Sequence, residues 1–208
     1  MYSYSPNPYS KNPIMLIDKH IGYDEFEGMG INGKEFAKSL FELSELHPES
    51  IKIFINSMGG DVEHGFDIFN AISEVSKYIP TESVIYGFAY STAGWCALST
   101  NKVSIKSQGG WMCHMPYNPN DEDEKTEFLE KVANSIAVVI SSKSGKNGKA
   151  KKSKEEILNM LSKKTFLTPV EMKNEGLVDD VLDTDGKEKV ANKTHKEFSK
   201  VLNKIINT

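Results

Sequence analysis

Val84-Ile85-Tyr86-Gly87-Phe88-Ala89-Tyr90-Ser91-Thr92-Ala93-Gly94-Trp95 passes from an apolar β-run through small residues into a helical pattern. That passage is a strand-to-helix turn. It sets the Ser91 hydroxyl at the edge of a sheet, beside the positive end of a helix. A second turn of this kind lies upstream. Ile51-Lys52-Ile53-Phe54-Ile55 reads as a strand, and Asn56-Ser57-Met58-Gly59-Gly60-Asp61 turns it into a helix marked by Val62, Phe66, Phe69, Ile72 and Val75. Phe54 makes both faces of that strand largely apolar, as expected for a buried parallel strand. Pro80 is expected to end the helix.

The pattern continues outward. Ile14–Ile17 is a short strand, and Asn32 can cap a helix carrying Phe36, Leu40 and Leu43. Beyond Ser91 come the strands Lys102–Lys106 and Trp111–His114. Further on lie a helix over Glu127–Ile140, a short helix over Glu155–Leu161, and a helix start at Thr168-Pro169 with Pro just inside it. Gly176 ends that last helix before a strand at Leu177-Val178. Strands alternating with helices of ten or more residues argue for an α/β fold of repeated βαβ units around a mostly parallel sheet. In such sheets ligand and catalytic groups gather at the carboxyl ends of the strands. Gly59-Gly60, Ser91 and His114 all fall at such ends. A hydroxyl, an imidazole and a backbone loop free of side chains are parts needed for acyl transfer.

Composition narrows the class. The chain has 208 residues, 38% hydrophobic and 26% charged, which suits one soluble globular domain. A formal charge of −4, from 25 basic and 29 acidic residues, gives no reason to expect nucleic acid as a partner. The longest apolar stretch, Ile136–Ile140, is too short to span a membrane. The start of the chain is neither basic nor apolar enough for a signal peptide, so a cytoplasmic location is expected. Cys96 and Cys113 sit in apolar patterns without metal-ligand spacing and read as buried small hydrophobes. No cofactor and no metal are expected.

Other segments read more simply. Residues 1–13 form a flexible arm rich in Pro, Ser, Tyr and Asn, and residues 183–208 a helical tail with an apolar stripe at Phe198, Val201, Leu202, Ile205 and Ile206. The acidic run from Asp121 to Glu130 reads as helix-start charge rather than a cation site. Lys143–Lys154, which holds six lysines, reads as a solvated flexible loop, with a polyanion contact as the alternative. His64 reads as a surface or capping histidine, and His20 stands in no cluster.

Four segments together resemble one family. Ile55-Asn56-Ser57-Met58-Gly59-Gly60-Asp61-Val62 is similar to the Asn-Ser-Pro-Gly-Gly segment of the Clp protease proteolytic subunit (ClpP) family, with Met58 where proline is usual. Gly87–Gly94 resembles its nucleophile segment, and Met112-Cys113-His114-Met115-Pro116 its histidine segment. Phe166–Glu171 with Glu175–Asp179 resembles its closing signature. The similarity spans about residues 14–182 and is nearest to the Clp-like proteases of phages and prophages.

The resemblance implies a ClpP/crotonase fold with a protruding helical handle at about residues 116–164, the lysine loop lying near its tip. It implies a serine endopeptidase acting on protein or peptide substrates. Ser91 would be the nucleophile and His114 the general base. The backbone N–H groups of Gly60 and Thr92 would form the oxyanion hole. It also implies a homo-oligomeric ring, two rings stacked through the handles, and an ATP-driven unfoldase as a possible partner. Tyr2–Lys11 offers no match to the family's docking loops.

One position departs from the pattern. The family has an aspartate two residues before the phenylalanine of the closing signature, and here Lys164 stands there. Three consequences stay open. A backbone carbonyl, Thr165 or another carboxylate holds His114; or the chain is a slow Ser-His enzyme; or it is a degenerate assembly protein. A crotonase-type acyl-CoA enzyme is the remaining alternative, and it lacks a carboxylate at a matched catalytic position.

Overall fold

The computed structural model describes residues 10–23, 28–118, 120 and 126–183. Seven strands form one sheet. Strand β1 (Ile14–Ile17) lies beside β2 (Ile51–Ser57), β2 beside β3 (Thr81–Tyr90), β3 beside β4 (Lys102–Lys106), and β4 beside β7 (Asp180–Leu182), all parallel. The long strand β3 is shared. Its first half, Glu82–Ile85, pairs with β4, and its second half, Phe88–Tyr90, pairs with β5 (Gly110–Cys113). Among the described residues only β6 (Thr165–Leu167) runs antiparallel, against β5. The mostly parallel α/β sheet expected from the sequence is therefore present.

Helices α1 (Gly33–Ser44) and α2 (Val62–Val75) follow β1 and β2. The Asn32 side chain accepts from the N–H groups of Lys34 and Glu35, which caps α1 as expected. Phe36, Leu40 and Leu43 are buried. The His64 Nδ1 accepts from the Gly33 N–H at 3.1 Å, so His64 serves the start of α1. Helix α2 stops before the predicted Pro80. Ser76 closes it, its hydroxyl and N–H both donating to the Ile72 carbonyl, and Pro80 instead precedes β3.

Two further expectations are corrected. Ile51, Ile53 and Ile55 are fully buried, but Lys52 and Phe54 are only half-buried and Asn56 is exposed. Strand β2 thus covers one face, and Phe54 pairs with the exposed Tyr86 ring on the other. The closing strand is β7 at Asp180–Leu182 rather than Leu177-Val178. Leu177 and Val178 are core residues, 0% exposed, in the turn that leaves α6 (Pro169–Asn174). Gly176 adopts φ +70° there, and the N–H groups of Gly176 and Leu177 bond the carbonyls of Lys173 and Met172, a Schellman closure.

Helices α4 (Glu127–Lys143) and α5 (Lys154–Ser162) pack against each other. Thr126 caps α4, with Glu127 and Glu130 in its first turn. Asp121, Glu122, Asp123 and Glu124 lie outside the described residues, as do residues 1–9 of the predicted arm and residues 184–208 of the predicted tail.

The lysine-rich segment is not a free loop. The Lys143 Nζ donates to the Ser99 carbonyl, Lys146 bonds Asp179 at 2.8 Å and the Asn101 carbonyl, and Lys152 pairs with Glu175. The Lys146 side chain is only 12% exposed. Asp179 also accepts from the Val103 N–H, so one carboxylate ties the segment to β4. These bonds hold the segment to the body of the fold.

Candidate active site

The site is built where β2, β3 and β5 end. Between β2 and β3 the register breaks: Ile55 faces Ile85, but Ser57 faces Ala89. Asn56 spans the break, its Oδ1 accepting from the Phe88 N–H. Gly87 makes room for that amide, since a Cβ there would lie 2.3 Å from the same oxygen. Ser91 then opens α3 (Ser91–Cys96) with φ +51°. A non-glycine residue in the left-handed region costs of order 1–2 kcal/mol. The strain lifts the hydroxyl out of the strand line at the positive end of the helix.

Helix α3 is pressed into place from two sides. A Cβ at Gly65 would fall 2.1 Å from Thr92 Cγ2, and one at Gly94 would fall 2.9 Å from the Met112 carbonyl. Trp111 donates its Nε1–H to the Gly94 carbonyl. Trp95, Cys96 and Trp111 are buried. Neither cysteine is bonded to the other. Burial pushes the Cys113 thiol up to about 12 and the Cys96 thiol well above its ordinary value, so neither is a thiolate nucleophile.

The Gly59-Gly60 loop lies against the serine. A Cβ on Gly59, at φ +98°, would come within 2.6 Å of the Tyr90 carbonyl and 2.8 Å of Ser91 Cβ. The Thr92 hydroxyl donates to the Gly60 carbonyl at 2.6 Å. Ile21 pairs with this loop through the Gly59 carbonyl and the Asp61 N–H. Those bonds use the neighbours of Gly60 and leave its own N–H out of the pairing. The Thr92 N–H belongs to the first turn of α3 and has no intrahelical partner. Both expected oxyanion donors thus flank the nucleophile turn. His20, absent from the sequence reading of the site, packs on Gly60: a Cβ there would meet its Nε2 at 2.7 Å. A lone histidine in a loop carries no periodic signal to announce this.

His114 follows the end of β5. Its Nε2 lies 2.8 Å from Ser91 Oγ and its Nδ1 2.6 Å from the Met115 carbonyl. A carbonyl can only accept, so Nδ1 carries the proton and Nε2 is left to accept from the Ser91 hydroxyl. This is the tautomer a general base needs. The backbone therefore performs the orienting task that a carboxylate performs in a triad. Met115 is itself anchored, because its N–H donates to the Leu161 carbonyl at the end of α5. Thr165, the side-chain candidate for this task, spends its hydroxyl on the Met160 carbonyl.

Lys164 lies in the turn between α5 and β6, with φ +49° and an exposed side chain. Burial of the ring holds His114 below the ordinary imidazole value, and the Lys164 ammonium pushes it down further. The bond to the Met115 carbonyl pulls the other way. The imidazole is thus neutral and able to accept a proton to lower pH than usual, but its charged form is poorly supported. Tyr117 stands beside it, with ring centroids 5.5 Å apart. Phe88, Tyr90 and Phe166 form an aromatic cluster on β3 and β6, Phe88 to Tyr90 at 5.0 Å and Tyr90 to Phe166 edge-on at 5.8 Å. Met58 is 66% exposed at the rim.

The Clp protease family model matches residues 31–185. Among solved structures, the chain is similar to ClpP1 from Listeria monocytogenes, with 23% identity, 82% of this chain and 91% of that one covered, and a TM-score of 0.64. It is also similar to the ClpP protease catalytic domain from Plasmodium falciparum, at 19% identity, with 86% and 90% covered and a TM-score of 0.68. These likenesses show a shared fold. No curated protein sequence matches the chain.

Proposed function

The chain belongs to the Clp protease family, and we propose that it is a serine endopeptidase in which Ser91 attacks the peptide carbonyl and His114 takes its proton. The observation that carries this reading is the 2.8 Å contact between Ser91 Oγ and His114 Nε2, at a strained helix start facing a Gly-Gly loop. In the acylation step the Ser91 O–H bond breaks as the Oγ–carbon bond forms, and the proton passes to Nε2. The carbonyl oxygen becomes an oxyanion held by the N–H groups of Gly60 and Thr92. His114 then returns the proton to the leaving amine, and water hydrolyses the acyl-enzyme by the same route. Losing one oxyanion donor costs about 3–4 kcal/mol in such sites.

The assembly proposed is a homo-oligomeric ring, with two rings meeting through α4, whose Phe128 is 70% exposed and Val138 53% exposed. Protein or peptide substrates would enter the chamber, alone or fed by an ATP-driven unfoldase. A second reading, an assembly protein without activity, is favoured by one observation: the exposed Lys164 where the family carries its carboxylate.

Intact-mass labelling with a fluorophosphonate, on wild type and Ser91→Ala, separates the two. The endopeptidase reading expects one adduct per wild-type chain and none on Ser91→Ala, with the same particle size by light scattering. A full-sized assembly that takes no adduct would establish the inert reading.

A further inference from the structure

The Met115 carbonyl sets the tautomer of His114, but it is a neutral acceptor. It cannot balance the charge that arises when the ring takes the Ser91 proton. A carboxylate would do so. Among the described residues His114 has no carboxylate partner: its ring nitrogens meet Ser91 Oγ and the Met115 carbonyl. The side chains acting on the ring are Ser91 from the start of α3, Tyr117 from the segment after β5, and, through its charge, Lys164 from the turn before β6. Lys164 carries a charge of the wrong sign for an imidazolium. Tyr117 carries the right one in another form, since the face of a phenol ring is the negative pole of its quadrupole.

We propose that Tyr117 is a positioning residue for the acyl-transfer step, its ring supporting the imidazolium that forms on His114 in place of the carboxylate the site lacks. This rests on the endopeptidase reading above. The centroid separation of 5.5 Å brings the imidazole within the roughly 6 Å over which an aromatic ring attracts a cation. Tyr117 is 48% exposed, so part of its surface faces water rather than the core. Packing alone does not require an aromatic residue at such a place. The side chain stands three residues after His114, on the same short segment that supplies the Met115 carbonyl. One stretch of chain therefore gives the base both its orientation and its charge support.

The interaction is modest. At a partly exposed site it is worth a factor of about two to five in the population of the charged form. The ring supplies it and the hydroxyl does not, so Tyr117→Phe should behave as wild type while Tyr117→Leu loses it.

The test uses the full-length chain with ¹³C-labelled histidine. His114 is assigned through His114→Gln, and its titration is followed by NMR in wild type, Tyr117→Phe and Tyr117→Leu. The rate of fluorophosphonate labelling at Ser91 is measured against pH in the same proteins. The inference expects the His114 midpoint to fall in Tyr117→Leu and to hold in Tyr117→Phe, with labelling about two- to fivefold slower in the leucine variant alone. An unchanged midpoint in Tyr117→Leu overturns it, even where labelling slows, because that pattern belongs to a pocket wall. A midpoint that falls equally in Tyr117→Phe also overturns it, because the hydroxyl would then be the active part. If no variant labels at all, the endopeptidase reading fails, while the NMR midpoints still decide whether the ring supports the imidazolium.

Discussion

Ser91 and Lys164 adopt nearly the same unfavourable backbone, φ +51° and φ +49°, and both act on one histidine, the first by a hydrogen bond and the second by its charge. At Ser91 the strain has a use. It raises a hydroxyl onto the Nε2 of His114, and the turn is braced by the Gly59-Gly60 loop, by Gly65 on α2 and by Trp111 on β5. At Lys164 the strain has a different origin. Helix α5 ends at Ser162, and Lys164 occupies the position after the cap, where its N–H closes on the Leu161 carbonyl. That is the place of a helix-ending glycine, and α6 closes with one, Gly176 at φ +70°. A lysine there suits the negative end of a helix but disfavours a charged His114. One left-handed residue sets a hydroxyl on the histidine, while the other closes a helix and disfavours the charged histidine.

The comparison breaks most severely at the bracing of the first turn. Gly59→Ala places a methyl group within 2.6 Å of the Tyr90 carbonyl and 2.8 Å of Ser91 Cβ, at a φ of +98° that alanine rarely adopts. Either the loop withdraws or Ser91 moves off its histidine. Fluorophosphonate labelling should fall by about 10²–10³-fold, the scale of a lost oxyanion donor, and thermal unfolding should begin lower. A variant that labels at the wild-type rate would show that this loop does not position the nucleophile.

The second turn is sharpened by Lys164→Asp. The substitution removes a repelling ammonium and brings a carboxylate to the family's position. His114 is held below the ordinary range first by burial and then by Lys164, so the acid limb of the labelling profile should lie below that of a free imidazole. With aspartate the charged ring is favoured, its midpoint rises, and the limb moves to higher pH. The plateau rate should rise about tenfold or more, a part of the roughly 10⁴ that an orienting acid contributes where the tautomer also depends on it. Here the Met115 carbonyl already fixes the tautomer. A limb that does not move would mean that position 164 and His114 are not coupled.

How much of this was legible in the letters depends on what each feature is made of. Strand β4 and the capped start of α1 were read directly, because alternation and an N-cap asparagine are side-chain signals. The meeting of Ser91, His114 and the Gly-Gly turn followed from strand ends in a parallel sheet. The three-residue strand β6 escaped, being too short for any period. Strand β3 starts at Thr81, before the apolar run at Val84, and runs ten residues to Tyr90, since Gly87 masks a register break that Asn56 spans. The partner of His114 is a main-chain carbonyl, and every residue has one, so no residue type could announce it. Lys143, Lys146 and Lys152 looked solvated because their acceptors, Ser99, Asn101, Asp179 and Glu175, are distant in sequence.

The smallest expected effect isolates the strain itself. In Lys164→Gly the side chain is removed from an exposed position, and the left-handed conformation no longer costs a Cβ clash. Relief of that clash is worth about 1 kcal/mol, offset by the lost attraction between an ammonium and the helix end, about 0.3–1 kcal/mol. The net change should be a gain of a few tenths of a kcal/mol, about 1 °C in Tm for a domain of this size. The ammonium also leaves the neighbourhood of His114, so the acid limb of labelling should move up, by less than in Lys164→Asp. The two readouts separate the two roles of the residue. A Tm that falls by several degrees would show that Lys164 has a side-chain partner essential to the turn. A Tm gain without any shift of the limb would leave its backbone, and not its charge, as what it contributes.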